Sequence, residues 1–351
     1  MDRLVAESVD RLDPYTPGEQ PRSAGVVKLN TNENPYPPSP KCMEALRGFD
    51  PARLRLYPDP AFLALRKKIA QIHRTTPGRV FVGNGSDEIL ALAAKAFSWE
   101  GRKIGSLDPS YSLYKTIAAI RGVEWTGNPG DKAVSLFLWT NPNAPTGRFA
   151  KPEEIAAFAR KFKGVVVIDE AYADFARGNA MKLATAPGNR NIIVMRTFSK
   201  SYSLAGLRVG YCVGPEKLVE ALFKIKDSYN VDALAQTVAL AALCDRAWMK
   251  ANAAKIRKTR REFSRALALR GWDVIPSEAN FVFAKPPAGA SAADVYAALK
   301  KRCIFTRYFP GPSTGDRLRI TIGTDGEMSK LLSALDSEIP RGCQKRERTK
   351  Q

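Results

Sequence analysis

The apolar positions of the chain change rhythm near residue 80 and again near residue 215. Between these points short apolar runs alternate with helical patterns, as in an α/β fold. Strands are predicted at Arg79–Val82, Lys103–Leu107, Ser135–Trp139, Val165–Ile168 and Asn191–Met195, with a further short one from Arg208 through Gly214. Val165-Val166-Val167-Ile168 is apolar at every position, as befits a strand buried on both faces. Helices are predicted from Ile89 to Phe97 and from Pro152 to Phe162. Upstream, prolines crowd the stretch from Pro14 to Pro40 too densely for a helix or a central strand, which predicts an extended arm lying over other parts. Helices from Pro40 to about Gly48 and from Phe62 to His73 follow. Beyond Pro215 the pattern is helical to about Gly271. A second sheet pattern then appears, Ala279–Ala284 and Arg317–Gly323, with a helix from Ser291 to Cys303 between them, which predicts a smaller α+β domain.

Composition narrows the chemistry. The 351 residues include one histidine, His73, which excludes His-rich metal sites and leaves little room for a Ser-His-Asp arrangement. His73 ends a predicted helix and reads as a surface residue. The five cysteines are scattered without any Cys-x-x-Cys, so they read as reduced thiols. No apolar run is long enough to span a membrane, and the first residues lack the apolar core of a secretory signal. A cytoplasmic location is expected. The formal charge of +20 raises nucleic acid as a partner. Much of that charge lies on the predicted helix from Arg246 to Arg270 and in the tail from Arg341 to Lys350. A solvated helix face and a tail account for both without a nucleic-acid motif.

Polar clusters follow the predicted strands, where open α/β sheets bind ligands. Gly83-Asn84-Gly85-Ser86-Asp87-Glu88 turns from strand into helix, and helix N-termini favour anions. Ser86 and Asp87 serve equally well as helix caps. Asp169 closes a buried strand, where a carboxylate is expensive unless paired. A protonated pyridine nitrogen suits it, and so does a backbone or arginine partner. Tyr172 and Tyr111 fit either packing or contact with such a ring. Lys200 sits between two serines at a strand exit, eight residues before Arg208. A neutral lysine amine traps carbonyls, and neighbouring cations or desolvation lower its pKa toward that form. Hydroxyls and a guanidinium nearby can hold a phosphate. An amine, an anion cradle and a buried carboxylate together match pyridoxal phosphate chemistry.

The ordered set Asn30-Thr31-Asn32-Glu33-Asn34-Pro35-Tyr36, Tyr57-Pro58-Asp59-Pro60, Gly83 to Glu88, Pro145-Thr146-Gly147, Asp169-Glu170-Ala171-Tyr172, Ser199-Lys200 through Gly210 and Leu318 to Thr324 resembles the fold-type I pyridoxal phosphate (PLP)-dependent aminotransferases, histidinol-phosphate aminotransferases above all. The resemblance covers roughly Pro14 to Leu335. It implies a mostly parallel sheet with helices on both faces in a large domain over residues 41–245. It also implies a small domain over 246–340, an arm over 1–40 that joins it, and a basic tail over 341–351. By the same resemblance Lys200 carries the cofactor and, once released, moves the substrate's α-proton. Asp169 pairs with the pyridine nitrogen, Tyr172 bonds the ring oxygen and Tyr111 stacks on the ring. Gly85, Ser86, Asp87, Ser199 and Arg208 hold the phosphate. Tyr57 reaches the neighbouring subunit's cofactor, which implies a homodimer. Arg319 takes a substrate anion, helped by Arg307 and Tyr15, and Asn34 lies near the substrate. No metal is implied. The chain departs from the family where an asparagine before Pro-Thr-Gly bonds the ring oxygen. Here Ala144 stands, so Asn143 or Asn141 shifts in, or Tyr172 serves alone. The implied reaction is transamination between histidinol phosphate and 2-oxoglutarate. Threonine-phosphate decarboxylation and aromatic amino-acid transamination are the alternatives.

Overall fold

A computed structural model describes residues 4–5, 7–12, 18–21 and 25–339. Tyr15 and the basic tail therefore lie outside the described residues. The apolar run Val165–Asp169 becomes the central strand of a seven-stranded sheet. Its order from edge to edge is Val80–Gly83, Gly210–Val213, Ile192–Thr197, Val165–Asp169, Val134–Thr140, Lys103–Ser106 and Glu124–Thr126. Neighbours run parallel except at Gly210–Val213, which is antiparallel to both of its partners.

Strand side chains alternate between faces, and each face here has its own cover. Val166, Ile168 and Val194 pack with the helices Leu63–His73, Pro152–Lys161 and Ala233–Cys244. Val167, Ile193 and Met195 pack with Gly85–Phe97, Leu113–Arg121 and Glu216–Ile225. Val166, Val167 and Ile168 are all fully buried; each such side chain stabilises the fold by about 1.5–3 kcal/mol. That double burial is why this strand carries no polar residue before Asp169.

The second sheet is antiparallel, in the order Arg307–Tyr308, Leu318–Thr321, Phe281–Lys285 and Asp273–Ile275. The helices Arg246–Ala268, Ala292–Lys301 and Asp325–Glu338 complete its core. The proline-rich arm is extended as expected. Val27–Lys28 pairs in parallel with Ile304–Phe305, which carries Asn30 to Asn34 over the end of the large sheet.

Several expectations change. Helix Leu113–Arg121 and edge strand Glu124–Thr126 were not apparent from the pattern. The helix after the glycine turn starts at Gly85, one turn before Ile89. His73 is not a free surface residue: its Nε2 lies 2.9 Å from the Tyr211 hydroxyl. Burial, with Arg196 and Arg246 nearby, pushes its pKa down to about 3. The basic helix is only partly a solvated face. Arg260 is buried and donates to the carbonyls of Phe175 and Ala279, while Arg257 donates to that of Asp174. These two arginines fasten the small unit to the loop after Asp169.

Candidate active site

The ends of the parallel strands, the arm and the small sheet enclose a cavity of about 550 Å³. Ser86, Asp87, Tyr111, Asp169, Tyr172, Ser199, Lys200, Arg208, Arg307 and Arg319 all line it. Those ten come from widely separated stretches, and the topology brings them to one place.

The lysine loop starts from Ile192–Thr197. Phe198 is fully buried and anchors the turn, while the Ser199 N–H donates to Thr197 Oγ1 at 3.1 Å. Lys200 Nζ donates to the Thr31 carbonyl of the arm at 3.1 Å. Burial and the positive charge of Arg319 lower its pKa to about 8. At neutral pH an appreciable share of this amine is therefore unprotonated, the form that attacks a carbonyl.

The anion cradle lies across the cavity floor. Gly85 adopts φ +79°, and a Cβ there would come within 2.6 Å of Arg208 Nη2. A Cβ on Gly210 would stand 2.7 Å from the Ser86 nitrogen. Both glycines are thus required by close approach. Asn84, at the N-cap position, makes no side-chain cap bond, so Ser86 and Asp87 sit over amides that the helix leaves open. Arg208, at φ +55°, donates to Ser199 Oγ at 3.4 Å and to Asp87 Oδ2 at 3.3 Å. The capping reading of Asp87 gives way to this ion pair.

Asp169 is 4% exposed, and among the described residues no arginine pairs with it. Its Oδ1 accepts the Ala171 N–H at 3.1 Å and its Oδ2 accepts the Tyr114 hydroxyl at 2.9 Å. Burial raises its pKa to about 6, against the pull of those two donors. Tyr172 receives the Asn32 side-chain amide at 3.0 Å and packs edge-on to Phe281. Asn32 itself sits at φ +57°, a left-handed conformation asparagine tolerates. It also accepts the Thr321 hydroxyl at 3.0 Å and so ties the arm to both sheets. Tyr111 is edge-on to Tyr114, with its ring toward the cavity.

The opposite wall is cationic. Arg319 donates to the Asn30 carbonyl at 2.7 Å and lies between the rings of Phe281 and Phe309, 5.5 and 5.2 Å from their centroids. Arg307 also lies over the Phe309 ring, 5.2 Å from its centroid.

Two expected residues of this cavity, Asn143 and Asn34, are elsewhere, and Tyr57, expected at a neighbouring subunit's site, lies on the surface. The Asn143 amide donates to the Pro109 carbonyl and to Thr146, and its oxygen accepts Ser110. It braces the loop and does not line the cavity, and Asn141 is likewise bound to both backbone groups of Ala150. This corrects the expected ring-oxygen contact from either asparagine. Asn34 donates to the carbonyls of Lys200 and Ser201 and so holds the lysine loop; it is not among the residues lining the cavity. Tyr57 is 80% exposed and stacks on Tyr229, outside the cavity. Residues absent from the sequence reading also meet here, namely Tyr114, Thr140 and Phe309. Their only local signals were a tyrosine one helical turn after Tyr111 and a hydroxyl closing an apolar strand.

Residues 24–335 match the family model for class I and II aminotransferases. The chain is 45% identical to histidinol-phosphate aminotransferase 2 of Rhizobium meliloti (strain 1021), over 97% of this chain and all of that protein. It is 44% identical to the histidinol-phosphate aminotransferase of Syntrophotalea carbinolica, over 94% of this chain and 98% of that one. Among solved structures it resembles histidinol-phosphate aminotransferase from Sinorhizobium meliloti in complex with pyridoxal-5'-phosphate. The TM-score is 0.81 at 26% identity, covering 89% of this chain and 90% of that one.

Proposed function

The chain belongs to the class I and II aminotransferases, and from that premise we propose that it exchanges the amino group of histidinol phosphate with 2-oxoglutarate, using pyridoxal 5'-phosphate. The observation that carries this reading is one cavity holding an amine of lowered basicity, an unpaired buried carboxylate, a glycine-floored arginine cradle and two further arginines. The residues fit the cofactor. The floor that a Cβ would fill suits a phosphate, and Asp169 accepts a cation that the protein does not supply.

When bound, the cofactor supplies a ring that withdraws electrons from the substrate's α-carbon. Asp169 keeps a negative charge at the buried end of that ring and so favours a protonated ring nitrogen. Arg208, Ser199 and the first amides of the helix at Gly85 hold the phosphate end. Tyr172, fixed by Asn32, would offer its hydroxyl to the ring oxygen. Lys200 provides the amine and then carries the proton to and from the α-carbon. Arg319 and Arg307 take the anionic ends of substrates. Guanidinium groups bind both carboxylate and phosphate oxygens in pairs, which lets one wall accept glutamate and a phosphate ester in turn.

The same reading assigns residues 41–245 to the cofactor domain and 246–340 to the small domain. It also makes the enzyme a cytoplasmic homodimer. Leu54, Leu56, Tyr57 and Tyr229 are exposed together, an apolar surface suited to a second copy. Tyr57 would then reach the neighbouring site. Among the described residues no helix is long and apolar enough to cross a membrane. The test is a coupled assay with histidinol phosphate and 2-oxoglutarate, which should yield glutamate. Turnover of aromatic amino acids with none of histidinol phosphate, or carbon dioxide release from threonine phosphate, would overturn the substrate assignment.

A further inference from the structure

The strand register sets Thr140 directly beside Asp169. Tyr114, from the neighbouring helix Leu113–Arg121, reaches over both. Tyr114 is 0% exposed, Thr140 2% and Asp169 4%. Tyr114 has one hydroxyl proton, and it goes to Asp169 Oδ2 at 2.9 Å. Thr140 Oγ1, 2.6 Å from the Tyr114 oxygen, must therefore be the donor in that contact. Ser110 Oγ stands 3.2 Å from Thr140 Oγ1, and its own proton goes to Asn143 Oδ1 at 3.1 Å. Two hydroxyls, those of Thr140 and Tyr114, thus point the same way and end on one carboxylate. Such a chain polarises along its length and strengthens the last bond in a dry interior.

Resting on the function proposed above, we infer that Tyr114, backed by Thr140, is a positioning residue that keeps Asp169 ionised and aimed at the cofactor's ring nitrogen. The argument is one of direction. Every hydrogen bond Asp169 receives, from Tyr114 and from the Ala171 N–H, favours the charged form. The charged groups acting on it are Asp87, which opposes ionisation, and Lys200, which supports it. Both lie across the cavity, on the glycine turn and the lysine loop. Tyr114 reaches the carboxylate from helix Leu113–Arg121 and, unlike Thr140, does not line the cavity, so it sets the carboxylate before a ligand arrives. A protonated ring nitrogen is held by a carboxylate; a carbon in the same place gains nothing from one.

That difference supplies the test. Wild type, Tyr114→Phe, Thr140→Val and Thr140→Ser are compared by equilibrium dialysis for affinity toward pyridoxal 5'-phosphate and toward 1-deazapyridoxal 5'-phosphate, in which a carbon replaces the ring nitrogen. Tyr114→Phe should weaken binding of the natural cofactor by about tenfold, the scale of one hydrogen bond to a charged group, and leave the deaza form unchanged. Thr140→Val should show the same asymmetry at about threefold, with Thr140→Ser near wild type. If Tyr114→Phe does not fold, the Thr140 pair carries the test alone. Equal weakening of both forms, or unchanged affinity for the natural cofactor, would overturn the inference while wild-type uptake leaves the proposed function standing. Wild-type protein that takes up neither form overturns both.

Discussion

Two sets of buried charge sit close together at the ends of two neighbouring strands, and they are built on opposite principles. Glu170 turns into the core and accepts Arg196 through Nε at 3.0 Å and Nη2 at 2.8 Å, along with the Ala180 N–H. Asp174 adds a second carboxylate 3.7 Å from Arg196 Nη1. Burial pulls Arg196 toward neutrality, and those carboxylates more than reverse it, so the guanidinium stays charged. This set is closed. Asp169 and Lys200 form the open set: each faces the cavity, neither pairs with the other, and burial shifts both toward their neutral forms, to about 6 and about 8. A closed set serves the fold; an open one bears a polar cost that a ligand relieves. Asp169 faces the cavity, whereas Glu170, the next residue, turns into the core.

Breaking the closed set should have the larger effect on folding. Arg196→Met leaves Glu170 buried without its partner and should lower stability by about 3–5 kcal/mol. The further change Glu170→Met should restore most of it. Urea unfolding of the three proteins checks this, and a single variant as stable as wild type would show that the pair is not a closed unit.

Removing charge from the open set should do the reverse. In cofactor-free protein Asp169→Asn should raise stability at pH 8 by roughly 2–3 kcal/mol. The sign follows from the raised carboxyl: its folded value near 6 exceeds the ordinary 3.8, so ionisation opposes folding above pH 6. That opposition fades as the pH falls toward 3.8, and the advantage of asparagine should shrink with it. Denaturant midpoints at pH 8 and pH 5 measure the trend. A variant less stable than wild type at pH 8 would contradict it.

The smallest effect concerns the amine. Capture of pyridoxal 5'-phosphate by Lys200 should quicken about tenfold per pH unit below 8 and level off above it. A rate still climbing past pH 9 would mean that burial and Arg319 do not lower its basicity.

The contrast also marks what local sequence conveys. The strands of the large sheet were legible because a strand buried on both faces must be apolar throughout, and Asp169 and Lys200 stood out as polar residues ending such runs. Helix Leu113–Arg121 was not, because Thr116, Ile117 and Ile120 give it weak intrinsic preference and a Pro-Ser-Tyr-Ser stretch precedes it. Tyr114 was hidden with it. The directions of Asn143 and Asn34 depend on carbonyls presented by distant loops, which no spacing encodes. The same holds for His73 against Tyr211, and for Arg257 and Arg260 against the loop after Asp169. Ordered motifs brought the cavity's residues together in advance. The hydrogen bonds that aim them came only with the fold.

Protein incubated with pyridoxal 5'-phosphate, reduced with borohydride, digested and weighed by mass spectrometry tests the central claim most directly. The account predicts a yellow protein that bleaches on reduction and one pyridoxyl-bearing peptide, modified at Lys200 and absent from Lys200→Ala. Wild-type protein that stays colourless, or a label spread over surface lysines with Lys200 untouched, would contradict it.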